Sequence, residues 1–190
     1  MTDYIALLRG VNVGGKNIVA MPLLKAAFER CGFTEVSTYT NSGNVLFSCL
    51  EEDIAVLQQK CRQGILESFG FSVEVAVISA ENLSEALRHA PKWWGTDREA
   101  KHMGIFSIAP ATVQEVIAAV GAIKPEYEKV EHFGILIFWS APLKTFSKTR
   151  WGKVAGTAAY HSITVRNANT TQKLLQLSME RANRRKEHAH

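Results

Sequence analysis

The stretch that decides the fold is Val36 to Cys49, VSTYTNSGNVLFSC, in which two β-rich segments flank Asn41-Ser42-Gly43-Asn44. Asn and Gly concentrate where a tight turn reverses the chain, and Gly43 is free to take the positive φ that such a turn needs. The stretch therefore predicts a β-hairpin in which Val36 to Thr40 pairs with Val45 to Cys49.

Working outward from the hairpin, one strand and one helix precede it and one helix and one strand follow it. Short apolar runs that end at glycines are typical of buried strands, and apolar residues spaced by three or four are typical of helices. The elements are a strand Tyr4 to Leu8, a helix with Met21, Leu24 and Phe28 on one face, a helix Ile54 to Ile65 and a strand Phe71 to Ile78. The order is βαββαβ, and a short helix around Leu83 and Leu87 follows.

The second half of the chain repeats this order of elements, although not the residues themselves. Its elements are a strand Met103 to Ile108, a helix Val113 to Val120, strands Glu126 to Glu131 and Ile135 to Trp139, a helix near Lys148 to Val154, and a strand His161 to Arg166. A final helix is predicted to begin at the N-cap Asn169 and to run to about Ala182.

Two consecutive βαββαβ units predict an α+β protein of two tandem ferredoxin-like subdomains that form one compact unit, with a C-terminal helix. The stretch from Ala90 to Lys101 contains Pro91, Trp93 and Trp94 and lacks clean periodicity, so the boundary is placed within it. We expect a first domain at residues 1–95 and a second at residues 96–190, the latter carrying a basic C-terminal segment.

Length and composition exclude several classes of protein. The chain has 190 residues, 46% hydrophobic and 21% charged, which argues against disorder, collagen and disulfide-stapled miniproteins. No signal peptide and no apolar run long enough for a membrane helix is visible, so a soluble, cytoplasmic protein without membrane association is expected. Cys31, Cys49 and Cys61 lack CxxC spacing and are predicted to be buried, reduced, structural thiols.

The charge is distributed unevenly along the chain. Residues 1–139 hold 12 basic and 16 acidic side chains, net −4, and residues 140–190 hold 10 basic and 2 acidic, net +8. We expect this last quarter to face an anion, except that Arg181 to Lys186 suits a solvated helix end. The other cations in the quarter are Lys144, Lys148, Arg150, Lys153, Arg166 and Lys173.

A glycine-rich loop, Gly10 to Asn17, follows the first strand and has the spacing G-x4-G-K. Such loops bind phosphate through backbone N–H groups and a lysine, here Lys16, but Asn17 stands where a nucleotide-hydrolysing loop has Ser or Thr. The loop is therefore predicted as an anion cradle without metal chemistry. Alternatively, Asn12 and Asn17 only hydrogen-bond the neighbouring backbone.

Two further segments are candidates for ligand contact. At the hairpin tip, Asn41, Ser42 and Asn44 present amide and hydroxyl groups that could read bases or phosphate, although such tips usually only turn the chain. The segment Arg166-Asn167-Ala168-Asn169-Thr170 joins the last strand to the last helix, where free N–H groups bind anions. Strand alternation predicts that Arg166 is exposed beside them, and Lys173 adds charge one turn later.

Three blocks of this sequence resemble the bacterial family called domain of unknown function 1697. They are Tyr4 to Asn17, Thr38 to Phe47, and Thr164 to Thr170 with Lys173 and Leu174. The resemblance implies a cytoplasmic bacterial α+β protein with no assigned activity. It also selects the same loops as candidate sites: Arg9, Asn12, Gly14, Gly15, Lys16 and Asn17; Asn41 to Asn44; and Arg166, Asn167, Asn169 and Thr170. The chain departs from the family at Ala168, where an aromatic residue is usual.

Two functions follow as hypotheses. The first is binding of an anionic, phosphate-bearing ligand, with nucleic acid as the expected class and with charge from Arg9, Lys16, Lys148, Arg166 and Lys173. The alternative is an enzyme acting on a small nucleotide or phosphorylated metabolite held by the Gly10 to Asn17 loop. No catalytic signature, cofactor motif or metal-ligand spacing is recognisable, and the sequence does not specify an oligomeric state.

Overall fold

The computed structural model describes residues 1–188, which separate into two compact units. The first unit comprises Met1–Ser84 together with the chain from Lys173 onward, and the second comprises Glu85–Gln172. The last helix therefore begins in the second unit and continues in the first. The predicted division between residues 95 and 96 stays a prediction.

The first unit contains a four-stranded antiparallel sheet in the order β2-β3-β1-β4. Its elements are β1 Thr2–Leu8, α1 Met21–Arg30, β2 Thr34–Tyr39, β3 Asn44–Cys49, α2 Ile54–Phe69 and β4 Val75–Ser79, followed by α3 Ala80–Arg88, which continues into the second unit. The predicted hairpin is confirmed, because β2 and β3 pair with Thr38 opposite Val45, and Gly43 takes a φ of 69°.

Alternation along the strands places the core of the first unit. Tyr4, Ala6 and Leu8 are buried on one face of the sheet together with Val45 and Phe47, and they belong to the same cluster as apolar residues of α1 and α2. Side chains at every second strand position share a face, so the helices cover that face. The apolar spacing seen in the sequence thus decides which side of the sheet the helices occupy.

The second unit has a second four-stranded antiparallel sheet, in the order β6-β7-β5-β8. Its elements are β5 Ala100–Ser107, α4 Val113–Val120, β6 Lys129–Phe133, β7 Leu136–Pro142, β8 Ile163–Asn167 and the start of α5 Ala168–His188. Three short 3-10 helices, Leu143–Lys148, Trp151–Gly156 and Ala158–Ser162, connect β7 to β8. The core includes Trp151, which is fully buried against the sheet and α4.

Several predicted elements of the second unit differ from the structure, and three of them bear on the candidate sites. The strand predicted from Glu126 begins at Lys129, because Glu128 is buried and its carboxylate holds a neighbouring segment. The helix predicted near Lys148 to Val154 is a pair of 3-10 helices. The last helix starts at Ala168, Asn167 rather than Asn169 caps it, and it runs to His188 instead of ending near Ala182.

The architecture is thus a mixed α+β protein with two four-stranded antiparallel sheets and a C-terminal helix. Among residues 1–188, no helix combines the length and the apolar character needed to cross a lipid bilayer.

Candidate functional site

The glycine-rich loop folds as a small hairpin of its own. The Lys16 amide donates to the Val13 carbonyl at 3.1 Å, and the Asn12 amide donates to the Asn17 carbonyl at 3.1 Å. Gly14 and Gly15 form the tip at φ values of 58° and 74°, a conformation that glycine adopts without strain. Because α1 begins only at Met21, the loop does not run directly into a helix as a phosphate loop does.

Asn12 connects this loop to the tip of the β2–β3 hairpin. Its Nδ2 donates to the carbonyls of Val19 and Asn41, both at 2.9 Å, and its Oδ1 accepts from the Val19 amide at 2.8 Å. The Leu8 amide also donates to the Gly43 carbonyl at 2.8 Å. The structure therefore brings the first two predicted segments together, and the Asn12 side chain is used in joining them.

Two other predicted asparagines also bind the chain itself. Asn44 is fully buried, and its Nδ2 donates to the Tyr39 carbonyl and the Thr40 hydroxyl. Asn17 donates to the Gly10 carbonyl at 3.3 Å. Among the predicted residues, this region presents Gly14, Gly15, Lys16, Asn17, Asn41 and Ser42 to solvent. Arg9 beside them is half-buried.

The prediction that Arg166 is exposed is wrong. Arg166 is only 7% exposed, and its Nη1 donates to the Thr164 hydroxyl at 2.9 Å and the Val165 carbonyl at 2.8 Å. Its ladder partner is Gly104, where an added Cβ would lie 2.8 Å from the Thr171 hydroxyl of α5. The first turn of α5 thus covers this face of the sheet, and burial lowers the pKa of Arg166 to about 10.

The start of α5 is capped from within. The Asn167 side-chain oxygen accepts from the Thr170 amide at 2.7 Å, so one of the N–H groups proposed for an anion is already satisfied. Asn169 is exposed and Thr170 is half-buried. Arg166, Asn167, Asn169 and Thr170 lie in the second unit, whereas Lys173 opens the part of α5 that groups with the first.

A second stretch of the second unit carries unpaired positive charge. We call Leu143–Gly156 the cationic segment; its four cations, all exposed, are Lys144, Lys148, Arg150 and Lys153. In the part of the chain that the structure describes, none of the four has a carboxylate within ion-pair distance. The Lys148 Nζ lies 5.3 Å from the centre of the Tyr127 ring, a cation–π geometry.

A buried carboxylate folds the cationic segment. Glu128 is 2% exposed, and its Oε1 accepts from the amides of Arg150 at 2.7 Å and Lys124 at 3.1 Å. Its Oε2 accepts from the amide of Trp151 at 3.0 Å and from the indole of Trp139 at 3.1 Å. Nothing in the sequence distinguishes Glu128 from its exposed neighbour Glu126, so sequence reasoning missed it.

The basic tail is only partly the solvated helix end that was expected, because Arg184 and Lys186 are exposed but Arg181 and Arg185 are not. Arg181 is 6% exposed and lies 3.8 Å from Asp3 and 3.7 Å from Glu35. Arg185 pairs with Asp3 and lies 3.5 Å from Glu35. Burial lowers the pKa of Arg181, and the two carboxylates oppose that shift. These arginines therefore neutralise acids of the first unit.

Other reactive groups show no assembled site. Cys31, Cys49 and Cys61 are free thiols, and burial raises the pKa of Cys61 well above its usual value. Within residues 1–188, no group of three or more His, Cys, Asp or Glu side chains is placed to hold a metal ion. The candidate surface is therefore the cationic segment, with the exposed Lys16 loop as a separate patch on the first unit.

Comparison with known proteins gives a family and a related structure. No curated protein matches the chain. The conserved bacterial protein SP0830 from Streptococcus pneumoniae has a similar structure, with 33% identity, a TM-score of 0.83, and coverage of 93% of this chain and 98% of that one. The family model described as protein of unknown function DUF1697 matches residues 1–138, so the chain belongs to the DUF1697 family.

Proposed function

We propose that this protein binds nucleic acid, a phosphate-bearing polyanion, through the cationic segment. The observation that carries the proposal is the set of four exposed cations without carboxylate partners on Leu143–Gly156. The sequence contains no Asp or Glu between Glu131 and Glu180, so the cationic segment and its neighbours along the chain carry no negative charge, and the one carboxylate that binds the segment's backbone in the described chain, Glu128, is buried. Unpaired surface cations attract phosphates and gain affinity by releasing counterions.

The local geometry favours a single strand over a duplex. Arg150 caps the second 3-10 helix and Lys153 lies inside it, three residues later. In a 3-10 helix, side chains three residues apart lie one above the other, separated by about 6 Å along the helix axis. The side chains of Arg150 and Lys153 therefore lie on the same edge of this helix. Tyr160, in the third 3-10 helix, is 39% exposed and offers a ring on which a base could stack.

The predicted site residues contribute unequally to this proposal. Lys148 belongs to the cationic segment, whereas Arg166 is buried and acts in the fold. Lys16 and Lys173 belong to the first unit and remain separate predictions of phosphate contact. The alternative function, an enzyme acting on a small nucleotide at the Gly10–Asn17 loop, depends on Lys16, whose ammonium has no partner in the described part of the chain.

We also infer that each unit is a ferredoxin-like βαββαβ domain. The strand orders β2-β3-β1-β4 and β6-β7-β5-β8, both fully antiparallel, support this inference. A cytoplasmic location is proposed with it, supported by three free thiols, which suit a reducing compartment.

The test is fluorescence anisotropy with labelled single-stranded RNA, single-stranded DNA and duplex DNA. We expect saturable binding that favours the single strands at low salt. The double variant Arg150→Ala/Lys153→Ala should weaken this binding at least tenfold. The matched control, Lys92→Ala/Arg98→Ala, removes two exposed cations of the same unit and should leave affinity within about twofold.

Absence of binding at low salt, or equal losses in the two double variants, would overturn the proposal. A Lys16→Ala variant distinguishes nucleic-acid binding from the alternative function, an enzyme acting on a small nucleotide. If a mononucleotide raises the melting temperature of the protein and Lys16→Ala removes the shift, while oligonucleotides do not bind, the small-ligand function is correct instead.

A further inference from the structure

A small cavity of about 180 Å³ lies in the second unit, on the face of its sheet opposite the helix-covered core. His102 and Lys129 are the ladder partners of Ser140, and directly opposed residues project from the same face of a sheet. All three line the cavity. The adjacent residues Met103 and Trp139 face the other way and belong to the core cluster.

The floor of this cavity carries a polar group without a partner. Ser140 is 7% exposed, and within residues 1–188 its hydroxyl forms no hydrogen bond. The Tyr127 hydroxyl, at the half-buried edge of the cavity, has none either. Within residues 1–188, the buried polar atom of this lining that lacks a partner is the Nδ1 of His102, and such an atom costs free energy, so its retention calls for a partner from outside the chain.

The neighbouring imidazole is held in a fixed orientation. The Nε2 of His102 lies 2.8 Å from the Asp97 carbonyl oxygen and 3.3 Å from the Asp97 amide nitrogen. This contact ties the loop before β5 to the sheet beside Ser140. The cavity therefore has one rigid wall of sheet and one wall of a connected loop.

The charged side chains around the cavity favour a cation. The carboxylates of Asp97 and Glu126 line it, and neither has a basic partner within ion-pair distance in the described chain. Lys129 is the one Lys or Arg in the lining, and Glu128 is already occupied by its four donors. The indole of Trp93, whose Nε1 donates to Glu131 at 3.3 Å, adds an aromatic surface. Aromatic rings and carboxylates together bind ammonium groups.

We infer that this cavity binds a small primary ammonium compound. The Ser140 hydroxyl accepts a hydrogen bond from the ammonium group, and Asp97 and Glu126 neutralise its charge. A volume of about 180 Å³ holds about six water-sized groups, which limits the ligand to a few non-hydrogen atoms. The site is chemically opposite to the cationic segment and does not depend on the proposed nucleic-acid binding.

The test is a titration of the isotope-labelled full chain with ethanolammonium, followed by NMR. A ligand this small binds with a dissociation constant of about 1 mM, so the amide shifts around Ser140 should saturate at about 10 mM. Glycolate, an anion of similar size, should produce no saturable shifts. Saturation by both compounds, or by neither, would overturn the inference.

Two variants assign the binding to the cavity. Ser140→Ala should weaken the binding of ethanolammonium at least fivefold. It should leave the melting temperature of the free protein unchanged or raise it, because the substitution removes an unpaired hydroxyl. Asp97→Asn, at an exposed position, should weaken the binding of ethanolammonium at least threefold. Lys60→Ala, at an exposed position of the first unit, should change nothing. Unchanged affinity in both Ser140→Ala and Asp97→Asn would show that the cavity is not the site.

Discussion

The two units share a strand order but connect their third and fourth strands differently. In the first, α2 spans sixteen residues, Ile54–Phe69, with Asp53 capping its start and Gly70 ending it at a φ of 76°. In the second, the same connection consists of three short 3-10 helices. The cationic segment includes Gly152 and Gly156, which weaken a continuous helix.

The comparison shows two ways of satisfying backbone groups. The Asp53 carboxylate accepts from the amides of Ala55 and Val56, so α2 is capped by a residue at its own end. The amides of Arg150 and Trp151 instead donate to Glu128, more than twenty residues away in the chain. A segment held by a distant carboxylate needs no regular helix, and its charged side chains are free to face solvent.

The largest expected effect is the loss of Glu128. Glu128→Ala leaves three amides and one indole N–H without their acceptor in a buried place, so we expect the free energy of unfolding to fall by about 3 kcal/mol or more. Urea denaturation measures it. Glu126→Ala, which removes an exposed carboxylate two residues away, should change stability by less than about 0.5 kcal/mol. Equal effects of the two substitutions would refute the anchoring role of Glu128.

The second-largest loss of stability is expected from the removal of the Arg166 side chain. Arg166→Ala removes a buried side chain and its hydrogen bonds to Thr164 and Val165, which should cost about 2 kcal/mol of unfolding free energy. Thermal unfolding in the absence of any ligand checks this, with Lys148→Ala as the exposed control. If Arg166→Ala melted like the wild type, the structural role assigned to this guanidinium would be wrong.

Asp53 should matter less than Glu128, because its contribution is that of an ordinary helix cap. Asp53→Ala should reduce the free energy of unfolding by about 1 kcal/mol. Asp53→Asn should retain most of the stability, since the amide oxygen can still accept from the amides of Ala55 and Val56. If Asp53→Ala lowered the free energy of unfolding as much as Glu128→Ala, the proposed difference between a self-capped helix in the first unit and a segment held by a distant carboxylate in the second would be wrong.

The smallest effect concerns the helix α4 of the second unit, which also caps itself. Hydrogen bonds from Thr112 lower the pKa of Glu115 below its usual value of 4.5. The cap therefore stabilises the folded state above pH 4.5, and this contribution is lost as the pH falls through the lowered pKa. Acid titration of the melting temperature should show a shallower decline for Glu115→Gln than for the wild type. Parallel curves would contradict this.

The sequence predicted local structure well where one segment contains its own determinants. Hydrophobic periodicity located the strands and helices of the first unit, and the Asn41–Asn44 turn located its hairpin. It failed at Glu128 and Arg166, because their roles depend on groups brought close only by tertiary folding. The Asn12 contacts with Val19 and Asn41 likewise join segments that no local pattern relates.

The charge pattern was informative but incomplete for the same reason. The excess of +8 in the last quarter is real, but Arg181 and Arg185 face Asp3 and Glu35 of the first unit. A count along the chain cannot separate such paired arginines from unpaired cations. Only the structure shows that Arg181 and Arg185 are paired, whereas the four exposed cations of the cationic segment have no carboxylate within ion-pair distance in the described chain.

The most direct test of the nucleic-acid proposal is the salt dependence of single-strand binding by the wild type and Arg150→Ala/Lys153→Ala. Each cation that neutralises a phosphate contributes about 0.7 to the slope of log K against log salt concentration. If both cations contact phosphate, the slope of the double variant should be shallower by about 1.4, and that of Lys92→Ala/Arg98→Ala should match the wild type. Identical slopes for all three proteins would contradict binding through the cationic segment.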